Sequence, residues 1–209
     1  MNTAVLLLNQ WADYELTHPD GKIDDFCRYY LATQRQKQIQ EPLTGGVVPQ
    51  IIDGLLLKLI GRINRLNMNY ASSALEGTGL NQVEELGILL TLQQQKNPRK
   101  MDIVHNNLFK LSSGTNIIGR LKDRGLIREY DDGEDRRSKR IELTEAGRET
   151  IEMAKIRMGK VSKMMVNDLT EDDKKLCIAL LKNIEIKYST LWLSHKGKSF
   201  DEVYQEIME

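Results

Sequence analysis

The chain predicts a mainly α protein with a small β-wing, and three observations carry that expectation. The segment from Gly125 to Gly147, GLIREYDDGEDRRSKRIELTEAG, reads as a β-hairpin. Leu126–Tyr130 is a short apolar strand, Asp131–Asp135 is a polar tip around Gly133, and Ser138–Leu143 alternates with Ile141 and Leu143 on one face. Two short helical patterns precede it. One carries Met101, Val104, Leu108 and Leu111; the other starts in the Ser112-Ser113-Gly114-Thr115 cluster, carries Ile117, Ile118 and Leu121, and stops at Gly125. Strongly periodic apolar helices lie on both sides, in a chain of 209 residues with only 4 prolines. Two short helices followed by a hairpin make a winged helix-turn-helix domain, here joined to long dimerisation helices.

Element by element, Thr3–Thr17 is an amphipathic helix with Val5, Leu8, Trp11 and Tyr14 inward, and His18-Pro19-Asp20-Gly21 is a turn. Asp24–Gln40 is a second helix with Phe26, Tyr30 and Leu31 inward. Glu41–Gln50, with two prolines and Gly45-Gly46, is a linker. These first helices are a docking arm or a lid. Ile51–Tyr70 is a long helix whose stripe is Ile52, Leu55, Leu56, Leu59, Ile60, Ile63 and Leu66, broken at Gly77–Leu80. Asn81 and Glu84 form a capping box for a helix carrying Leu86, Leu89, Leu90 and Leu92. After the hairpin, Thr144 caps a long helix reaching Val166. Leu169–Asp172 starts another, with Leu176, Ala179, Leu180, Ile184 and Tyr188 as its stripe, and the tail from Ser194 adds a further turn or two of helix. The expected organisation is 1–48 as a helical extension and linker, 49–80 as a dimerisation helix, 81–147 as the winged domain and 148–209 as C-terminal dimerisation helices. Stripes this long carry more apolar surface than one subunit needs, and a two-fold dimer with interleaved terminal helices covers it.

Composition narrows the function class. Thirty basic and 30 acidic side chains cancel, but from Lys96 to Arg140 there are 12 Lys+Arg against 7 Asp+Glu, a local net charge of +5. The reader segment is therefore positive, and counterion release depends on such local charge. Cys27 and Cys177 have no metal-ligand spacing and read as partly buried small hydrophobes in a reducing cytoplasm. His18, His105 and His195 are isolated from one another, so no metal site or cofactor is expected. Trp11 and Trp192 read as packing residues. No phosphate loop, nucleophile elbow or carboxylate pair appears, so no catalytic residue is assigned and an enzyme is not expected. The apolar run Ala4–Leu8 is too short for a signal peptide or a membrane span.

Asp135-x-Arg137-x6-Thr144-x2-Gly147, preceded by Gly125-Leu126-Ile127-Arg128, resembles the MarR family of bacterial transcription regulators over about Pro49 to Ile184. The resemblance implies a homodimer binding double-stranded DNA at a pseudo-palindromic operator, usually as a repressor. It implies release by a small aromatic or phenolic effector, or by an oxidant. It places Arg137 in the minor groove with Asp135 holding it. Arg136, Lys139 and Arg140 are then phosphate contacts, and Ser112, Ser113, Thr115 and Asn116 cap the recognition helix, bond phosphate or touch bases. Arg120 is a phosphate or base contact. Leu59, Ile63, Tyr70 and Leu86 are the candidates for the neighbourhood of the implied effector pocket, although each fits ordinary core better. The competing reading is a winged-helix protein-interaction module with no sequence-specific DNA binding.

Overall fold

The computed structural model describes residues 2–38, 46–135 and 137–209. It is about 69% helical, with one two-stranded antiparallel sheet among the described residues. The chain divides into two compact units, residues 1–58 and 59–209.

In the first unit, α1 (Thr3–Thr17) starts at Asn2, whose side chain accepts the Ala4 N–H at 3.0 Å. α2 (Ile23–Gln38) opens with Asp24 and Asp25 in its first turn, where carboxylates complement the helix dipole. The two helices meet through rings: Trp11 stands edge-on to Phe26 at 5.0 Å between centroids, and Tyr14 lies 5.5 Å from Phe26 and 5.1 Å from Tyr29. Of the residues expected to point inward, only Tyr14 and Phe26 are buried; Val5, Leu8 and Leu31 stay exposed. A two-helix hairpin has one interface, so half of each apolar face finds no partner. The end of the expected second helix and the first half of the expected linker lie outside the described residues.

α3 (Ile52–Leu75) continues past the expected end at Tyr70, and the boundary between the units falls within it. Gly77 and Gly79, both at positive φ, then turn the chain. α4 (Val83–Gln94) has Gln82 as its N-cap with no side-chain cap bond, so the Asn81–Glu84 capping box does not form. Instead Glu85 reaches back and accepts the Asn81 N–H at 2.8 Å.

α5 (Lys100–Asn106) and α6 (Leu111–Asp123) form the helix-turn-helix. The expected stripe through Leu108 and Leu111 is corrected: α5 ends at Asn106, and Met101, Leu108 and Leu111 are exposed, while Ile103 and Val104 face the core. The stop is a Schellman motif. Leu108, at φ 55°, donates to His105 O at 2.9 Å, and Phe109 donates to Val104 O at 3.0 Å. α6 ends in the same way, at Gly125, with Gly125 N to Lys122 O at 2.8 Å and Leu126 N to Leu121 O at 3.0 Å.

The wing strands are β1 (Ile127–Asp131) and β2 (Lys139–Leu143), with Ile127 opposite Leu143 and Asp131 opposite Lys139. Ile141 N donates to Pro98 O at 3.2 Å and so ties β2 to the loop before α5. Thr144 caps α7 (Glu145–Met165): its hydroxyl accepts the Gly147 N–H at 3.1 Å and donates to Gly125 O at 2.7 Å. A side chain at Gly147 would collide with the Leu126 carbonyl oxygen, so the helix packs directly on the start of β1. α8 (Glu171–Trp192) and α9 (Phe200–Met208) each open with a complete capping box, Thr170 with Asp173 and Ser199 with Glu202.

The core of the second unit gathers Leu75, Leu86, Ile88, Leu89, Ile103, Ile118, Leu121, Ile127, Ile141 and Ile151. α8 contributes no buried residue. Cys27 and Cys177 are both exposed, which corrects the partly buried reading: each sits on a helix face that the rest of its unit does not cover.

Candidate nucleic-acid interface

α6 is held against α5 at Gly114, where a Cβ would stand 2.8 and 2.9 Å from the two Val104 methyls. Ile117, Ile118 and Leu121 face the core. At 100° per residue the opposite face carries Ser112, Ser113, Asn116 and Arg120, none of them buried, with Thr115 beside them. The serines do not cap the helix. Lys110 is the N-cap residue, without a side-chain bond, and Ser112 and Ser113 lie inside the first turn. Their hydroxyls are therefore left to solvent or a ligand. Ser113, Asn116, Ile117 and Arg120 line a shallow cleft together with Gln82, Glu84 and Phe109.

Arg120 is oriented from behind. Its Nη2 donates to Gln82 Oε1 at 2.7 Å and its Nε lies 3.6 Å from Glu85 Oε1. Glu85 is fully buried, and Arg124 Nη2 stands 2.7 Å from the same oxygen, an ion contact set off the hydrogen-bond direction. Arg124 also donates to Gly79 O at 2.6 Å and to Arg120 O at 3.1 Å. A signal for Glu85 exists in the sequence. It shares the helical face of Ile88, Leu89 and Leu92, which are buried, so it is a carboxylate written into an apolar stripe.

The wing is braced by Asp132, whose side chain is only 1% exposed. It accepts the Glu134 N–H at 3.1 Å, Arg99 Nε at 2.9 Å, and lies 3.2 Å from Arg140 Nε. The Glu134 N–H and the two arginines hold its carboxyl down at a pKa of about 2, against burial, which opposes ionisation. Arg140 also donates to Asn97 O at 2.9 Å, so its guanidinium faces the wing's base. Glu129 is gripped between Lys100 and Lys122, at 3.1 and 3.0 Å. Burial works against its charge, yet the two lysines keep its pKa below the ordinary value.

At the tip, Asp135 bonds a hydroxyl and a backbone N–H, and no guanidinium is hydrogen-bonded to it among the described residues. It accepts Ser138 Oγ at 2.8 Å and the Arg137 N–H at 3.0 Å, and these bonds lower its pKa. The Arg137 N–H and Ser138 are thus held by Asp135 while the Arg137 side chain is exposed, with no ion-pair partner among the described residues. Lys139 pairs with Asp131 across the strands. Arg136 lies outside the described residues.

The four effector-pocket residues are not brought together. Leu86 belongs to the core. Ile63 lines a cleft of about 440 Å³ with Asn64, Asn67, Met165 and Leu181, Tyr70 lines a separate one with Arg157, Lys160 and Met164, and Leu59 lines neither. Among the described residues no three His, Cys, Asp or Glu gather as metal ligands, and no helix is long and apolar enough to cross a membrane.

No family model matches the chain, and no curated protein matches it in sequence. Solved structures do. A cysteine-to-serine mutant of MarR from E. coli, complexed with operator DNA, superposes with a TM-score of 0.61 at 18% identity, over 67% of this chain and 99% of that one. A MarR-family regulator from Rhodococcus sp. RHA1 gives 0.59 at 22% identity, over 65% and 96%. Bordetella bronchiseptica BpsR, whose DNA binding is regulated by 6-hydroxynicotinic acid, gives 0.58 at 20% identity, over 62% and 98%. The chain has the MarR-type fold. In the MarR-type fold the helix-turn-helix and the wing are the parts described above, and about a third of this chain lies outside the match to these structures.

Proposed function

We propose that the chain is a homodimeric, sequence-specific DNA-binding transcription regulator that represses from a pseudo-palindromic operator. One observation carries the reading. α6 buries one apolar face and leaves Ser112, Ser113, Asn116 and Arg120 on the other. It is followed by a hairpin with an ordered tip, where Arg137 has no ion pair among the described residues. α6 then lies in the major groove and Arg137 enters the minor groove beside it. Binding of operator DNA by a protein of the same fold supports this. Release by a small aromatic acid is the finer part of the proposal. It is supported by the regulation of BpsR and by the cleft where Tyr70 stands near Arg157 and Lys160, a ring and two cations in one place. Arg157 already donates to Ala74 O and Glu76 O at 3.3 and 2.9 Å, so Lys160 is the cation open to a carboxylate.

A gel shift with the chain's own upstream DNA, at stated salt and against excess non-specific duplex, tests the function. A discrete shift that survives the competitor is expected. No shift at any salt would leave the winged domain as a protein-interaction module.

A further inference from the structure

The buried carboxylate of Glu85 does more than pack. Arg124 is its nearer cation: it stands 2.7 Å away, only 28% of its side chain is exposed, and Gly79 O and Arg120 O hold it in place. Arg120 has a different relation to the same carboxylate. It approaches at 3.6 Å through Nε, keeps 43% of its side chain exposed, and bonds Gln82 Oε1 through Nη2. One Nη is thus hydrogen-bonded from the protein side and Nε faces the Glu85 carboxylate in a longer ion contact, while Nη1 has no partner among the described residues. Glu84 lines the same cleft, and the Nη1 edge of the guanidinium is the part left to recognise a ligand.

We propose that Glu85, assisted by Gln82, is a positioning residue that presets Arg120 of α6 for contact with operator DNA. The inference rests on the DNA-binding reading above. An arginine free in solution loses rotamer freedom when it binds; one already clamped by Glu85 and Gln82 loses less, and the difference appears as affinity. Glu85 accordingly acts on DNA only through Arg120, across the α4–α6 contact, and never touches the duplex.

A double-mutant cycle tests it. A duplex selected from a random pool by the parent protein at fixed salt is the probe, read by fluorescence anisotropy alongside urea unfolding. Arg120→Ala weakens binding. Glu85→Gln, which keeps the acceptor for the Asn81 N–H, weakens it about 3- to 10-fold. In the Arg120→Ala background the same Glu85→Gln change costs no further affinity, while its effect on urea stability persists, because Arg124 still faces the altered site. Should Glu85→Gln fail to fold, Gln82→Ala replaces it. That residue is exposed at the helix start, so its smaller loss of affinity is expected to vanish in the same background. Unchanged or tighter binding by Glu85→Gln, or a loss that survives undiminished without Arg120, overturns the positioning role and leaves the DNA reading standing. Failure of the parent to select any duplex overturns both.

Discussion

Arg137 and Lys139 are two residues apart on the same wing and do different things. Lys139 faces Asp131 across the strands, and the pairing holds its pKa above the ordinary lysine value. Arg137 has its backbone fixed by Asp135 and its guanidinium in solvent. Arg137→Ala is expected to weaken operator binding by about 1–3 kcal/mol and to erase any preference for A·T-rich flanks, whose narrow groove attracts arginine. Lys139→Ala is expected to have the smaller effect, nearly uniform across sequences, because its charge is already paired with Asp131. Anisotropy titrations on A·T-rich and G·C-rich flanks separate the two. Equal binding by Arg137→Ala and parent at ordinary salt would show that the wing does not read DNA. The motif has Asp135 hold the arginine in place; the hydrogen-bond geometry adds that its carboxylate accepts the Arg137 N–H and the Ser138 hydroxyl.

As an element, the wing is a hairpin of five-residue strands that is not stable by itself, and its attachment is partly ionic. Asp132 joins the tip backbone to Arg99 before α5 and to Arg140 on β2. Its pKa falls from 3.8 in the unfolded chain to about 2 in the fold, so the unfolded state takes up the proton first as pH drops. The stabilisation is therefore complete above the unfolded value and is lost as pH falls from about 4 toward about 2. Comparing the parent with Asp132→Asn isolates this contribution from Glu129 and Asp135, whose pKa values are also lowered. The stability difference is expected to be constant above about pH 5 and to shrink below about pH 4. Hydrogen exchange at wing amides follows it, and a difference independent of pH would remove Asp132 from the attachment.

In the whole molecule, apolar surface and chain do not balance. Among the described residues of α8, Leu176, Leu180, Leu181, Ile184, Tyr188 and Trp192 are all exposed, as are Ile52, Leu56, Ile63 and Leu66 of α3. Helices with these stripes do not stay in water unpaired when a second copy can cover them. Light scattering at micromolar concentration is expected to report about twice the 24.0 kDa of one chain. A monomer that persists at high concentration would require another partner for α8. The exposed thiol of Cys177 lies on that same helix, so the side chain read as a buried hydrophobe is instead part of the unpartnered surface.

Local chemistry makes much of this legible in the sequence by itself. The helix cap at Thr144, the helix start within Leu169–Asp172, the stop at Gly125, the alternation through Ile141 and Leu143, and the wing motif all depend on neighbours a few residues away. They appear where those residues place them, within about one or two positions. Helix ends whose signal is not a glycine are less legible: α5 ends at Asn106, with Leu108 beyond it in the left-handed region as Phe109 turns back to Val104, and no local preference of leucine announces that. What only tertiary structure decided is which charges are committed and which are free. Arg140 turns to Asp132, Arg120 is clamped by Gln82 and Glu85, and Arg137 is left open. Arg99 with Asp132, Arg120 with Gln82, Arg140 with Asn97 and Arg124 with Gly79 join residues 33 to 45 positions apart. Those distances are set by how α4, α5 and β2 pack, and Coulomb energy between side chains carries no trace in the order of residues along the chain.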